Sequence, residues 1–317
     1  MTEPSAVRRR VAGRSAGPAV VLLVAVAAGL VGCRATPPHG PDASDAPAEV
    51  DRERVAAILE AHRERVGRLE RIHVVGTVGV RWPDGEGDWR SEQVSVRLWV
   101  DGRLRTAARF LIGFPETDLF WFGSDEERAW LFDLAADTSS LCVWRHDAPS
   151  PPPCAEAVVP VIGRPLSTAD LLFGAIPLPP DAIDRVRVSP DGRTMRLLVA
   201  GRQEPLRLTW SIEDGTLERV EVFDVTGMPR AVADHSEPAP MAVAGLARPL
   251  QPRLATRVRV RDRDERFVAT FDFDPANSGS IESQRWTTLF DLPTLRRILR
   301  PRIVEDASVA GPPVPGR

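Results

Sequence analysis

Among 317 residues there is no lysine, no tyrosine and a single asparagine, Asn277. All 41 basic residues are therefore arginines, a bias expected of a genome rich in G and C, so their number carries no phosphate-binding inference. A basic excess is missing too: 41 basic residues face 44 acidic ones, for a net charge of −3, which argues against a nucleic-acid partner. No apolar run is long enough to cross a bilayer as a helix, which takes about 20 residues; the run Ala19 to Val31 has thirteen. The five histidines, His39, His62, His73, His146 and His235, form no HxxxH or HxxE spacing. They read as solvated or packing residues rather than metal ligands. No glycine-rich phosphate loop follows a strand. The GxSxG match at Gly13 to Gly17 has no strand before it. Asp262-Arg263-Asp264 and Asp272-Phe273-Asp274 lack the spacing of a calcium loop. The expectation is a protein that is not an enzyme, with no metal and no cofactor.

What is present begins with an address. Arg8, Arg9, Arg10 and Arg14 precede the apolar run, the order of a secretory signal. Leu30-Val31-Gly32-Cys33 then resembles the lipobox of bacterial lipoproteins, in which the chain is cut before the cysteine and the thiol is acylated. The resemblance implies lipidation at Cys33 and membrane attachment, since two or more acyl chains anchor stably. Loss of residues 1–32 would leave 285 residues with 37 basic and 43 acidic side chains, a net charge of −6. Residues 33–50, rich in Pro, Ala and Asp, read as a disordered tether.

From about Asp51 to Ile72 a helix is predicted, with Val55, Ile58, Leu59, Val66, Leu69 and Ile72 on one face. The period then changes from 3.6 to 2. Val94, Val96, Leu98 and Val100 alternate with Ser95, Arg97 and Trp99, as do Leu206, Leu208, Trp210 and Ile212 with Arg207, Thr209 and Ser211. One wet and one dry face per strand indicates antiparallel sheet, and Asp101-Gly102, Asp191-Gly192 and Asp214-Gly215 mark hairpin turns. About twelve strands are predicted: 73–82, 92–100, 103–112, 118–123, 128–134, 139–145, 185–189, 194–199, 205–212, 216–225, 254–262 and 266–273. Two interruptions stand out. One holds a proline loop and a short helix near Asp170-Leu171-Leu172; the other, Asp234 to Pro252, reads as a loop or lid. Leu292 to Leu299 suggests a last short helix with proline in its first turn, and 301–317 a disordered tail. Cys142 and Cys154 flank the proline loop; in an exported chain they form either a disulfide or two buried thiols, and the disulfide is expected.

A helix followed by a curling antiparallel sheet with short helices is the outline of a mainly β, α+β fold: an incomplete antiparallel barrel of about 11–12 strands with helices at its mouth. The run from Leu69 to Val78, the strand series to Leu134 and the helix at Asp170-Leu171-Leu172 resemble the Lol lipoprotein-carrier superfamily. The resemblance implies one half-barrel domain over residues 51–300 that holds acyl chains. Aromatic residues crowd one quarter of the sheet. Leu119-Phe120-Trp121-Phe122 is apolar on both faces, so each face needs a cover. The predicted cavity wall is Val78, Val80, Val96, Leu98, Phe110, Phe120, Phe122, Trp130 and Phe132. Phe114, in a short interstrand loop, is the predicted membrane contact, because an exposed apolar side chain there calls for a membrane or partner. The expected function is a lipid-anchored envelope lipoprotein, facing the periplasm from the outer membrane, that binds a hydrophobic ligand or acyl chain for transfer or insertion. The rival is an assembly lipoprotein that meets an envelope protein through the strand face of Arg257, Arg259 and Arg261.

Overall fold

The computed structural model describes residues 51–69, 71–83, 87–102, 105–113, 115–135, 138–146, 152, 154, 165–199, 205–224, 226–280 and 286–307. Cys33, Phe114, the signal and tether over residues 1–50, and residues 308–317 lie outside them.

Helix α1 (Arg52–Arg68) starts where Asp51 caps it, its carboxylate accepting from the backbone N–H of Glu53 at 3.0 Å and Arg54 at 3.2 Å. Such a cap satisfies donors that the first turn leaves without partners. The helix buries Val55, Ile58, Leu59 and His62 and stops at Arg68 rather than at Ile72. Ile72 instead enters strand β1 (Arg71–Pro83), because the stretch from Ile72 to Val75, with β-branched Ile72, Val74 and Val75, pairs with the next strand from Arg71↔Asp101 onward.

The strands β2 (Trp89–Asp101), β3 (Arg105–Ile112), β4 (Thr117–Ser124), β5 (Arg128–Asp133) and β6 (Ser140–Arg145) follow as one antiparallel meander. After α2 (Pro165–Phe173) and α3 (Ala182–Arg185) a second meander runs through β7 (Arg187–Val188), β8 (Thr194–Val199), β9 (Leu206–Ser211), β10 (Leu217–Phe223), β11 (Pro229–Pro240), β12 (Arg253–Asp262) and β13 (Val268–Phe273). Helix α4 (Leu292–Leu299) and strand β14 (Ile303–Asp306) complete the chain. The sheet has 14 strands in the order β14-β6-β5-β4-β3-β2-β1-β13-β12-β11-β10-β9-β8-β7, so β14 and β7 are its two edges and it does not close.

All twelve predicted strands are present, and two more were not foreseen. The first is β11, which takes in the first third of the supposed lid, Asp234 to Pro240, and pairs with β12 from Ala231↔Asp262 to Pro240↔Arg253. Its small Ala231 and Ala233 are weak strand formers, and Pro238 and Pro240 argue against a central strand. The prolines are tolerated because the pairing with β10 ends at Asp234, beyond which β11 has one ladder partner only. The rest of the supposed lid is a loop that Gln251 gathers, its side chain bonding the backbone of Val243 and Leu246. The second is β14, in the supposed tail, which adds parallel to β6 at Ile303↔Ser140.

The two meanders meet at a single seam, β1 on β13, from Gly76↔Phe273 to Arg81↔Val268. A side chain at Gly76 would put its Cβ 2.2 Å from the Asp272 carbonyl oxygen, so this close approach requires glycine. The sheet curls strongly. Helix α2, nine residues and so about 14 Å long, contacts β3 and β4 on one side and β10, β11 and β12 on the other. Strands β4 and β10 are seven spacings apart, roughly 34 Å across a flat sheet. One core therefore fills the concave side, with Val74, Leu98, Phe122, Leu208, Val258 and Phe271 among its strand residues and Leu59, Leu171 and Phe173 from the helices. Cys142 and Cys154 are joined by a disulfide with their Cα atoms 6.0 Å apart.

Over β4 to β6 the convex side is covered as well. Leu292 and Leu295 of α4 pack on Trp121, Trp130, Phe132, Leu141 and Val143. This is the cover that the doubly apolar stretch Leu119 to Phe122 called for. Asp291 caps α4 at the Thr294 N–H, and Arg300 ends it in the left-handed conformation.

Candidate functional site

The concave face gathers seven of the nine predicted wall residues. Val78, Val96, Leu98 and Phe122 are buried in the main core, and Val80, Phe110 and Phe120 pack against it half-buried. Trp130 and Phe132 are elsewhere. The register pairs Phe122 with Leu131 and Gly123 with Trp130, so Leu131 faces the concave side while Trp130 and Phe132 face α4 on the convex side. They belong to the second layer of packing, not to the wall. Among the described residues no group of three or more His, Cys, Asp or Glu is gathered as metal ligands, and no helix is long and apolar enough to cross a membrane.

The arginine-bearing strand face is neutralised within the sheet. Arg257 pairs with Asp272 and Glu237, each at 2.6 Å, and Arg261 with Glu265 at 2.9 Å and Asp234 at 3.4 Å. Arg259 lies 3.8 Å from Glu265.

Sequence reasoning missed a polar knot where α1 and β11 meet the end of α2. Helix α2 ends at Phe173, and Gly174 turns the chain with φ +57°; a Cβ there would lie 2.1 Å from Leu217 Cδ2. The carbonyls that this end leaves without helical partners are taken by side chains. Arg65 Nη1 donates to Phe173 O at 3.2 Å, and Nη2 to Gly174 O at 3.2 Å and to His62 Nδ1 at 3.0 Å. His62 Nε2 then donates to Ile176 O at 2.9 Å, and His235 Nε2 to Leu171 O at 2.9 Å. Both imidazoles are held neutral. Burial, then the Arg65 charge, lowers His62 to about 3 and His235 to about 4. Burial also lowers Arg65, to about 10, which leaves it cationic at neutral pH. The signal was legible in part, because His62 falls at the spacing of the apolar stripe of α1, between Leu59 and Val66.

Beside the knot lies a cavity of about 280 Å³, bounded by His62, Arg65 and Arg68 of α1, by Trp210 and Leu217, and by Pro238 and Ala255 of the second meander. His62 meets Trp210 edge to face, with ring centroids 5.3 Å apart. None of the nine predicted wall residues lines this cavity.

No protein-family model matches the chain, and no curated protein does. Solved structures do. A LolA superfamily protein from Nitrosomonas europaea is 14% identical, with a TM-score of 0.44 over 75% of this chain and 97% of that one. A DUF1329 family protein from Desulfovibrio piger is 12% identical, with a TM-score of 0.44 over 76% of this chain and 98% of that one. An outer membrane lipoprotein-sorting protein domain from Vibrio parahaemolyticus is 10% identical, with a TM-score of 0.40 over 73% of this chain and 97% of that one. The solved structures to which this chain is similar thus include LolA-superfamily and lipoprotein-sorting proteins.

Proposed function

We propose that this chain is a bacterial envelope lipoprotein, tethered by a lipidated Cys33, that holds a hydrophobic ligand of the acyl-chain kind on the concave face of its open sheet for transfer or insertion at a membrane. One observation carries the reading: a 14-stranded sheet that does not close presents a continuous apolar inner face whose covers are helices rather than strands. Among the described residues α1 and α2 seal that face through side-chain bonds such as His235 to Leu171 O and join no strand ladder, so a ligand can replace them against the wall without breaking one. An acyl chain in water is unfavourable by about 0.8 kcal/mol per methylene. A dry face is therefore mechanism enough, and the reading calls for no catalysis and no cofactor.

In this reading residues 51–300 form the binding domain, residues 33–50 are the tether, and Phe114 meets the bilayer. The wall is formed by Val78, Val80, Val96, Leu98, Phe110, Phe120 and Phe122. Arg34 after the cysteine is not the aspartate that retains some lipoproteins in the inner membrane, which favours the outer membrane. Native mass spectrometry and lipid extraction of the purified chain test the reading. A copurifying lipid, and binding of a fluorescent fatty acid that Phe110→Asp abolishes, are the expected results. A clean apoprotein that ignores the probe overturns it and favours an assembly role through protein contacts. Substitution Cys33→Ser should release the chain from membranes; retention after a salt wash would refute the lipid anchor.

A further inference from the structure

The knot at the end of α2 contains a charge without a counter-charge. Three of the five N–H groups of Arg65 go to Phe173 O, Gly174 O and His62 Nδ1, all neutral acceptors. Among the described residues no carboxylate lies within 4.0 Å of its guanidinium, and its remaining N–H groups have no protein partner. Arg65 is half-buried, and a guanidinium met only by neutral acceptors leaves its positive charge on the wall, where it favours an anion. Arg65 lines the 280 Å³ cavity, and the other charges there do not supply that anion. Glu64 is paired with Arg68 at 3.1 Å. Asp214 Oδ1 accepts from the Thr216 backbone N–H at 3.0 Å and hydroxyl at 2.7 Å; Asp214 keeps its charge but forms no ion pair with Arg65. Arg253, also on the wall, adds a second cation, bonded only to the Pro238 carbonyl at 2.9 Å. The wall also carries apolar Trp210, Leu217, Pro238 and Ala255 beside polar Thr216, Ser236 and Gln251.

We infer that this cavity binds an oxyanion, a carboxylate or phosphate, with Arg65 as its principal partner and Trp210 and Leu217 against whatever short apolar portion the ligand carries. A cavity of about 280 Å³ is at the small end of ligand sites, so it takes a head group and a few methylenes, not a whole acyl chain. The inference stands apart from the acyl-binding reading, because no residue of that proposed wall lines this cavity.

Calorimetric titration of the purified full chain with octanoate, octanol and inorganic phosphate tests it. Octanoate should bind at least tenfold more tightly than octanol, and Arg65→Gln should weaken octanoate at least tenfold. Ala255→Trp, which fills the cavity and leaves the Arg65 bonds in place, should abolish binding and keeps the test decisive if Arg65→Gln does not fold. It should also leave any copurifying lipid unchanged, which separates the two sites. Phosphate that competes with octanoate identifies the free ion as ligand; octanoate binding that phosphate does not disturb identifies the head of an amphiphile. Octanol bound as tightly as octanoate, or octanoate affinity preserved in both variants, overturns the inference.

Discussion

Acid should unfold this protein in a range set by two histidines. His62 and His235 are 3% and 9% exposed and are held near pKa 3 and 4 in the folded chain, against about 6.5 when unfolded. Because the folded values are depressed, the stabilisation from keeping both rings neutral is complete above pH 6.5. It is lost as the pH falls from 6.5 toward 4, where the unfolded chain takes up protons that the folded chain refuses. At pH 5 each ring costs about 2 kcal/mol, and the pair about 4 kcal/mol, a large part of an ordinary stability of about 5–15 kcal/mol. Urea unfolding of the full chain at pH 7, 6 and 5 measures this directly. His235→Gln, whose amide can still donate to Leu171 O, and a further His62→Gln should each remove a comparable share of the pH-dependent loss, leaving the smaller part due to His73, which burial also lowers. A free energy that is flat from pH 7 to 5, or a loss unchanged in the double variant, would refute the assignment of the two rings as buried and neutral.

Two further expectations concern packing. Replacing Cys142 and Cys154 by serine opens a loop with a sequence separation of 12, and should cost on the order of 3 kcal/mol; a reducing agent should then lower the denaturation midpoint of the parent but not of the variant. Leu295→Ala removes the α4 side chain that caps Trp121, Trp130 and Phe132, and should cost about 2–5 kcal/mol with a red shift of tryptophan emission. The affinity for a fluorescent fatty acid should not change in that variant, and a loss of binding would place the convex face at the ligand site.

Most of the sheet was readable because its strands alternate, and alternation survives wherever one face is wet. It fails where both faces are dry. In β4, β5 and β6 every side chain in the middle of the strand is apolar, so composition cannot say which of Phe122, Trp130 and Phe132 share a face. Only the register does, through Phe122↔Leu131 and Gly123↔Trp130. Strand β11 hid for the opposite reason, since only Val232 among its buried residues, Ala231, Val232, Ala233 and His235, is a strong strand former and its far end carries prolines, and the ladder with β12 rather than propensity holds it. The site residues show the same division. His62 sits at a stripe position of α1 and could be found, whereas His235 and Gly174 become meaningful only when folding brings Leu171 and Leu217 beside them.

The seam between the two meanders has a consequence for how the chain reaches this state. Every antiparallel pairing except β1 on β13 joins strands that are neighbours in sequence, whereas the seam links positions about 190 residues apart. Loop-closure entropy delays such a contact, so each meander is expected to form on its own time and the seam to lock last. Until β13 arrives, the thirteen-residue β1 has a naked edge in the middle of the future sheet, including the six residues Gly76 to Arg81 that β13 will cover. That edge is far longer than the two-residue β7 and four-residue β14 that border the finished protein. The danger of edge-to-edge aggregation therefore belongs to the nascent or truncated chain, not to the folded one.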